Sequence, residues 1–165
     1  MDKLRAVGGH ERGRQQSGYE PIHPSLEAAM PRIEETDNKR VVKEFFNYIM
    51  SGNPKDSLPL FSTNCTQHNP YVRGGMAELM DSMGAAQESF DPEPGSQPEF
   101  VIKHLIADGD IVVAHTEMKK SKTQPSEGGL RQAHIFRLEN GKVVEYWDIT
   151  QMVSIDLPNA ANAFS

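Results

Sequence analysis

The stretch Arg131-Gln132-Ala133-His134-Ile135-Phe136-Arg137-Leu138-Glu139-Asn140-Gly141-Lys142-Val143-Val144-Glu145-Tyr146-Trp147-Asp148 decides the fold. It reads as two strands rich in β-branched and aromatic residues, separated by Asn-Gly, the dipeptide that most readily takes the left-handed backbone of a tight hairpin. His134 on the first strand and Asp148 on the second are titratable groups of different type on rigid elements. Whether they meet depends on register. A two-residue loop would pair Glu139 with Lys142 and His134 with Trp147, turning Asp148 to the opposite face. A three-residue loop, with Gly141 left-handed in a bulge, would pair Leu138 with Lys142 and His134 with Tyr146. His134, Tyr146 and Asp148 would then share a face, with His134 and Asp148 on a diagonal of about 7–8 Å. The residues alone leave both loops open.

Upstream lies a second hairpin. Glu99 to Ala107 alternates Phe100, Ile102, His104 and Ile106 against Val101, Lys103 and Leu105; Asp108-Gly109 turns the chain and Asp110 to Lys119 returns. A two-residue turn there sets Ile106 against Ile111, His104 against Val113 and Ile102 against His115, so that His104 and His115 share one face. The connection from Ser121 to Gly129 is long and polar. Before the strands, Val41, Val42, Phe45, Phe46 and Ile49 recur at helical spacing behind the capping candidates Thr36 and Asp37. Asn53-Pro54 opens a short second helix. Met76, Leu79, Met80, Met83 and Gln87 mark a third after Gly74-Gly75. Between the last two helices, Thr63 to His68 is a short strand or edge segment stopped by Asn69-Pro70. Phe90 to Pro98 is a loop by composition. Helices followed by a meander of strands imply an α+β fold, with helices on one face of a curved antiparallel sheet.

The totals limit what such a chain can do. At 165 residues it suits one domain with a proper core, expected over residues 31–155, after an irregular arm at 1–30 and before a tail at 156–165. A net charge of −6, with 17 scattered Lys and Arg, leaves no electrostatic footprint for nucleic acid or an anionic membrane. No apolar run reaches a membrane span and no secretory signal opens the chain, so the expected location is cytoplasmic. Cys65 is the one cysteine and reads as a small buried hydrophobe; it excludes an internal disulfide and a Cys-rich zinc site. A His-His-Asp metal site has no supporting spacing.

Cys65-Thr66-Gln67-His68-Asn69-Pro70, the strand ending at His134, and Asn140 to Asp148 together resemble the SnoaL-like polyketide cyclase family of the nuclear-transport-factor-2-like (NTF2-like) superfamily, over roughly residues 33–153. The resemblance implies a cone whose bent sheet and three helices enclose an apolar pocket, commonly in a homodimer. It favours the register that puts His134 and Asp148 on one face. By motif position it makes Asp148 and His134 the catalytic residues. His68, Asn69, His115 and Tyr146 are the expected substrate-binding residues, without metal or cofactor, for a small apolar carbonyl-containing ligand. The implied chemistry is proton transfer, in aldol-type cyclisation or isomerisation. A carboxylate in an apolar pocket loses hydration, which raises its affinity for protons and suits Asp148 to act as a base. His134 or His68 would donate to the enolate and Asn69 would orient substrate. Trp147, on the other face, suits a dimer interface. Epoxide hydrolysis, or a binding module without catalysis, are the alternatives the same fold allows.

Overall fold

In the computed structural model, which describes residues 32–88, 99–119, 128–154, 156–159 and 162, the last hairpin closes at Asn140-Gly141 alone. Both residues have positive φ, 51° and 73°, the pattern of the tight two-residue turn, and Glu139 pairs with Lys142. Uninterrupted, that loop would leave His134 opposite Trp147. The ladder is interrupted: Leu138 pairs with Val143 and Arg137 with Glu145, so Val144 is an extra residue on the second strand. Every later pair is displaced by one, setting Phe136 against Tyr146, Ile135 against Trp147 and His134 directly against Asp148. The expected three-residue loop is therefore corrected. Its consequence, a face shared by His134, Tyr146 and Asp148, holds because the offset arises inside the strand. The cause is burial: Val143 and Tyr146 are both fully buried though three residues apart, and a regular strand would turn them to opposite faces.

Five strands form one sheet: β1 (Phe61–Gln67), β2 (Glu99–Asp108), β3 (Ile111–Lys119), β4 (Gly129–Glu139) and β5 (Lys142–Val153), in the spatial order β1-β5-β4-β3-β2. The meander β2 to β5 is antiparallel, and β1 joins the far edge of β5 in parallel. The β2–β3 hairpin also departs from its expected register. Asp108 pairs with Ile111, so the turn is Gly109-Asp110, and His104 faces His115 rather than Val113. Beyond His104 a second bulge falls at Lys103, because Ile102 pairs with Thr116. Phe100, Ile102, Leu105 and Ala107 all pack on the core, and the extra residue is what lets Ile102 and Leu105 do so together. His104 and Ile106 are left on the opposite face, away from Ile102.

Helix α1 (Arg32–Met50) and α2 (Met76–Glu88), with a short 3-10 helix (Pro54–Leu60) between them, cover the other side of the sheet. Because α1 begins at Arg32, Thr36 and Asp37 lie inside it rather than capping it; Asp37 pairs with Arg40 at 3.6 Å. Asn53 precedes Pro54 as expected, but its amide turns back to the Ser51 carbonyl at 3.1 Å instead of capping the 3-10 helix. The fold class stands as read: α+β, with three helices against a curved sheet. Phe45 is the centre of the core, in ring contact with Phe46, Phe61, Phe136 and Tyr146. At the far end, Gln87 donates to the Ile49 carbonyl at 2.6 Å and joins α2 to α1. No described helix is long and apolar enough to cross a membrane. The expected arm at 1–30, the loop at 90–98 and most of the 121–129 connection lie outside the described residues, as does part of the 156–165 tail.

Two glycines separate conformational from steric cost. A Cβ on Gly141 would meet nothing within 4 Å, so Gly141→Ala costs only the left-handed backbone, about 1–2 kcal/mol. A Cβ on Gly128, also at positive φ, would lie 1.7 Å from the Val153 carbonyl oxygen. Urea unfolding is expected to show a modest loss for Gly141→Ala and a much larger one for Gly128→Ala; equal losses would contradict the register of β4 against β5.

Candidate active site

The helix-covered face of β4 and β5 carries the polar group of interest. His134 is buried against the edge of Phe46, with ring centroids 5.2 Å apart, and is flanked by Phe136 and Tyr146. Its Nδ1 lies 2.7 Å from the Tyr146 hydroxyl. Burial raises the Tyr146 phenol well above its ordinary range, and the negative charge of Asp148 adds to the rise, so the phenol keeps its proton. With His134 as its partner, the hydroxyl donates to Nδ1, which leaves the ring proton on Nε2. Burial also lowers the His134 pKa to about 4, so the ring is neutral at physiological pH.

Asp148, across the ladder from His134, is held from the other side. The Asn69 amide donates to its Oδ2 at 2.7 Å. Asn69 is fixed in turn: its backbone N–H donates to Gln67 Oε1 at 2.6 Å, its own Oδ1 accepts from the Tyr71 N–H at 2.8 Å, and the Gln67 amide donates to the carbonyls of Val72 and Gly74, each at 3.0 Å. This knot follows from β1, whose Gln67 pairs with Tyr146 and brings the Asn69-Pro70 turn to the level of Asp148.

Each member of the pair has thus one atom anchored and one free. His134 Nε2 and Asp148 Oδ1 are both buried and have no hydrogen-bond partner. Leaving a buried polar atom unmatched costs about 1–3 kcal/mol, so two on directly opposed residues single out this place as the candidate site. On the same face Thr116 keeps its hydroxyl buried and unmatched as well.

The structure brings His134, Asp148, Asn69 and Tyr146 together, with the Asn69 amide on the carboxylate and the Tyr146 hydroxyl on the imidazole. His68 and His115 are not in the group. Since Gln67 faces the core, the next residue turns outward: His68 stacks on Trp147 at 4.8 Å and hydrogen-bonds Glu145 at 2.9 Å. That bond, together with one from Arg137, holds the Glu145 carboxyl below its ordinary range. His115 pairs with Ala133 on the same outer face, opposite in side to Ala114 and His134. Trp147 lies on that outer face as expected. Gln67 and Thr116 had no role in the sequence reading. Gln67 sits in the quoted Gln-His-Asn-Pro motif, while Thr116 could be found only once β3 was known to bury its even-numbered residues. Cys65 is partly buried, and burial raises its thiol pKa to about 11, consistent with an unreactive side chain.

The profile of the SnoaL-like domain family matches residues 42–146. No curated protein matches the chain. Solved structures with the same architecture include an NTF2-like protein of unknown function from Cytophaga hutchinsonii (15% identity, TM-score 0.51, covering 69% of this chain and 89% of that one). A candidate SnoaL-like polyketide cyclase from Jannaschia sp. CCS1 is 16% identical with a TM-score of 0.55, covering 71% of this chain and 87% of its own. A candidate ketosteroid isomerase from Kribbella flavida is 12% identical with a TM-score of 0.55, covering 79% and 89%. At these identities the superpositions show a common NTF2-like fold alone.

The neutral buried His134 makes stability depend on pH. Its folded pKa of about 4 lies below the ordinary value of 6.5, so between these values the unfolded chain binds a proton that the folded chain refuses. Stability present in full above pH 6.5 therefore falls as pH drops, by about 2–3 kcal/mol at pH 4.5. Urea midpoints at pH 7 and 4.5 should fall more steeply for the native chain than for His134→Gln; parallel slopes would contradict the burial of a neutral imidazole.

Proposed function

The chain belongs to the SnoaL-like family, and from that premise we propose that it is an enzyme which moves a proton beside a carbonyl group, closing or isomerising a small polyketide-like substrate with side chains alone. The observation that carries this reading is the directly opposed pair, His134 and Asp148, each anchored at one atom and unmatched at the other.

Asp148 Oδ1 takes the proton from the carbon next to the carbonyl. The electrons of the C–H bond move into the carbonyl and place negative charge on its oxygen. His134 Nε2–H donates to that oxygen as the charge appears, in a site walled by Phe46 and Phe136 where a hydrogen bond is strengthened by exclusion of water. The enolate carbon then attacks a second carbonyl of the same substrate, whose oxygen takes the proton back from Asp148 as the ring closes, which is cyclisation; or another carbon of the enolate takes that proton back, which is isomerisation. A carboxylate base with neutral hydrogen-bond donors is a sufficient constellation for enolisation, as the handling of steroids by ketosteroid isomerase illustrates. A neutral imidazole suits the donor role, because it stabilises oxyanion charge without first surrendering a proton.

Asn69 and Tyr146 are positioning residues in this scheme. Asn69 leaves Oδ1 as the reactive oxygen by occupying Oδ2, and Tyr146 fixes which imidazole nitrogen carries the proton. The reactive atoms are sealed from solvent, so substrate reaches them as side chains move aside. Met76, Met80 and Met83 of α2, within or against the same core, are unbranched and readily deformed.

Deuterium incorporation into the activated methylene of cyclic and acyclic β-keto esters tests the reading. Asp148→Asn is expected to lower catalysed exchange by about 100–10,000-fold, and His134→Phe by about 100–1000-fold. Exchange equal to the native rate in Asp148→Asn would remove Asp148 as the base. No catalysed exchange by the native chain on any of these compounds, together with saturable binding of one of them, would favour a binding module instead.

A further inference from the structure

We propose that His104 and His115 form a binding site for a late divalent transition-metal ion, on the sheet face turned away from His134 and Asp148. The two are direct cross-strand partners in the β2–β3 hairpin. Their Nδ1 atoms lie 3.1 Å apart, and their rings are within 7° of parallel with centroids 5.4 Å apart.

The backbone places this pair by a specific device. Continued without a break from the Ile102–Thr116 pair, the ladder would set His104 against Ala114, on the face covered by helices. The extra residue at Lys103 turns His104 over and delivers it opposite His115. Bulges characteristically re-aim a side chain in this way. The pair therefore sits on two rigid strands at fixed separation, which lowers the entropy lost when both rings bind one ion.

The separation suits a metal. With metal–nitrogen bonds of about 2.0–2.1 Å, two nitrogens 3.1 Å apart subtend roughly 95–102° at the ion, between the square-planar and tetrahedral angles. Imidazole nitrogen selects copper, nickel and zinc over magnesium and calcium, which take oxygen ligands. At present one Nδ1–H donates to the other Nδ1. The rings lie end to end, so each Nδ1 now points along the line between them; on binding, the donor ring moves its proton to Nε2 and both rings swing by about 40° to turn their Nδ1 lone pairs to the ion. Among the described residues no group of three or more His, Cys, Asp or Glu is placed to hold a metal, so water completes the coordination. The site does not depend on the proposed enzymatic reading and shares no residue with it.

Calorimetric titration of the full chain with copper(II), zinc(II) and magnesium(II) salts tests the assignment, alongside His104→Gln and His115→Gln. The expected result is saturable 1:1 binding, tighter for copper than for zinc and missing for magnesium, weakened about tenfold or more in each single variant. In the native chain, zinc should perturb the imidazole NMR signals of His104 and His115, a readout that needs no substitution. Binding unchanged in both variants, or zinc shifts confined to other histidines, would overturn the site, as would no saturable binding of copper or zinc.

Discussion

Val143 and Tyr146 are both buried without remainder on the helix-facing side of β5, yet they are three residues apart, and a regular strand cannot turn such residues the same way. The extra residue at Val144 resolves the conflict. It allows the hairpin to keep its tight Asn140-Gly141 turn while the strand beyond is displaced by one, and everything of chemical interest on β5 follows from that displacement. Tyr146 reaches His134, Trp147 goes to the outer face where His68 stacks on it, and Asp148 arrives opposite His134. The same logic operates at Lys103, where the need to bury both Ile102 and Leu105 sends His104 outward.

Around the central pair, local order runs in two chains that meet. One comes from the core: Phe45 and Phe136 pack on Tyr146, and Tyr146 fixes the imidazole. The other comes from the sheet edge: Gln67 ties down the 68–74 segment, Asn69 is held by it, and Asn69 fixes the carboxylate. Each chain satisfies one atom of its target and leaves the second unmatched. Energetically this is an unfavourable arrangement for a folded core, and in the proposed proton transfer it is offset by binding charge as it develops on the substrate.

The fold was legible because its signals are local. The Asn-Gly turn, the 3.6-residue spacing of Val41, Val42, Phe45 and Phe46, and the Met76-Leu79-Met80-Met83 stripe each report on a few neighbouring residues. Register was harder to read, since a bulge is a compromise between burial demands that only the assembled sheet imposes; neither Val144 nor Lys103 is marked by a glycine or proline. His134 and Asp148 were found through the motif and confirmed as neighbours through that unforeseen bulge. His68 and His115 were misplaced for the same reason, a parity that cannot be fixed until β1 is known to pair in parallel with β5 and His115 is known to lie opposite Ala133. Asn69, expected at the substrate, has its amide on Asp148.

The displacement at Val144 is directly observable in solution. Cross-strand nuclear Overhauser contacts in the isotope-labelled protein should join His134 to Asp148, Ile135 to Trp147 and Phe136 to Tyr146, with Val144 unmatched across the ladder. Contacts joining His134 to Trp147 instead would mean a regular strand beyond the turn, would put Asp148 on the outer face, and would contradict the account of the site.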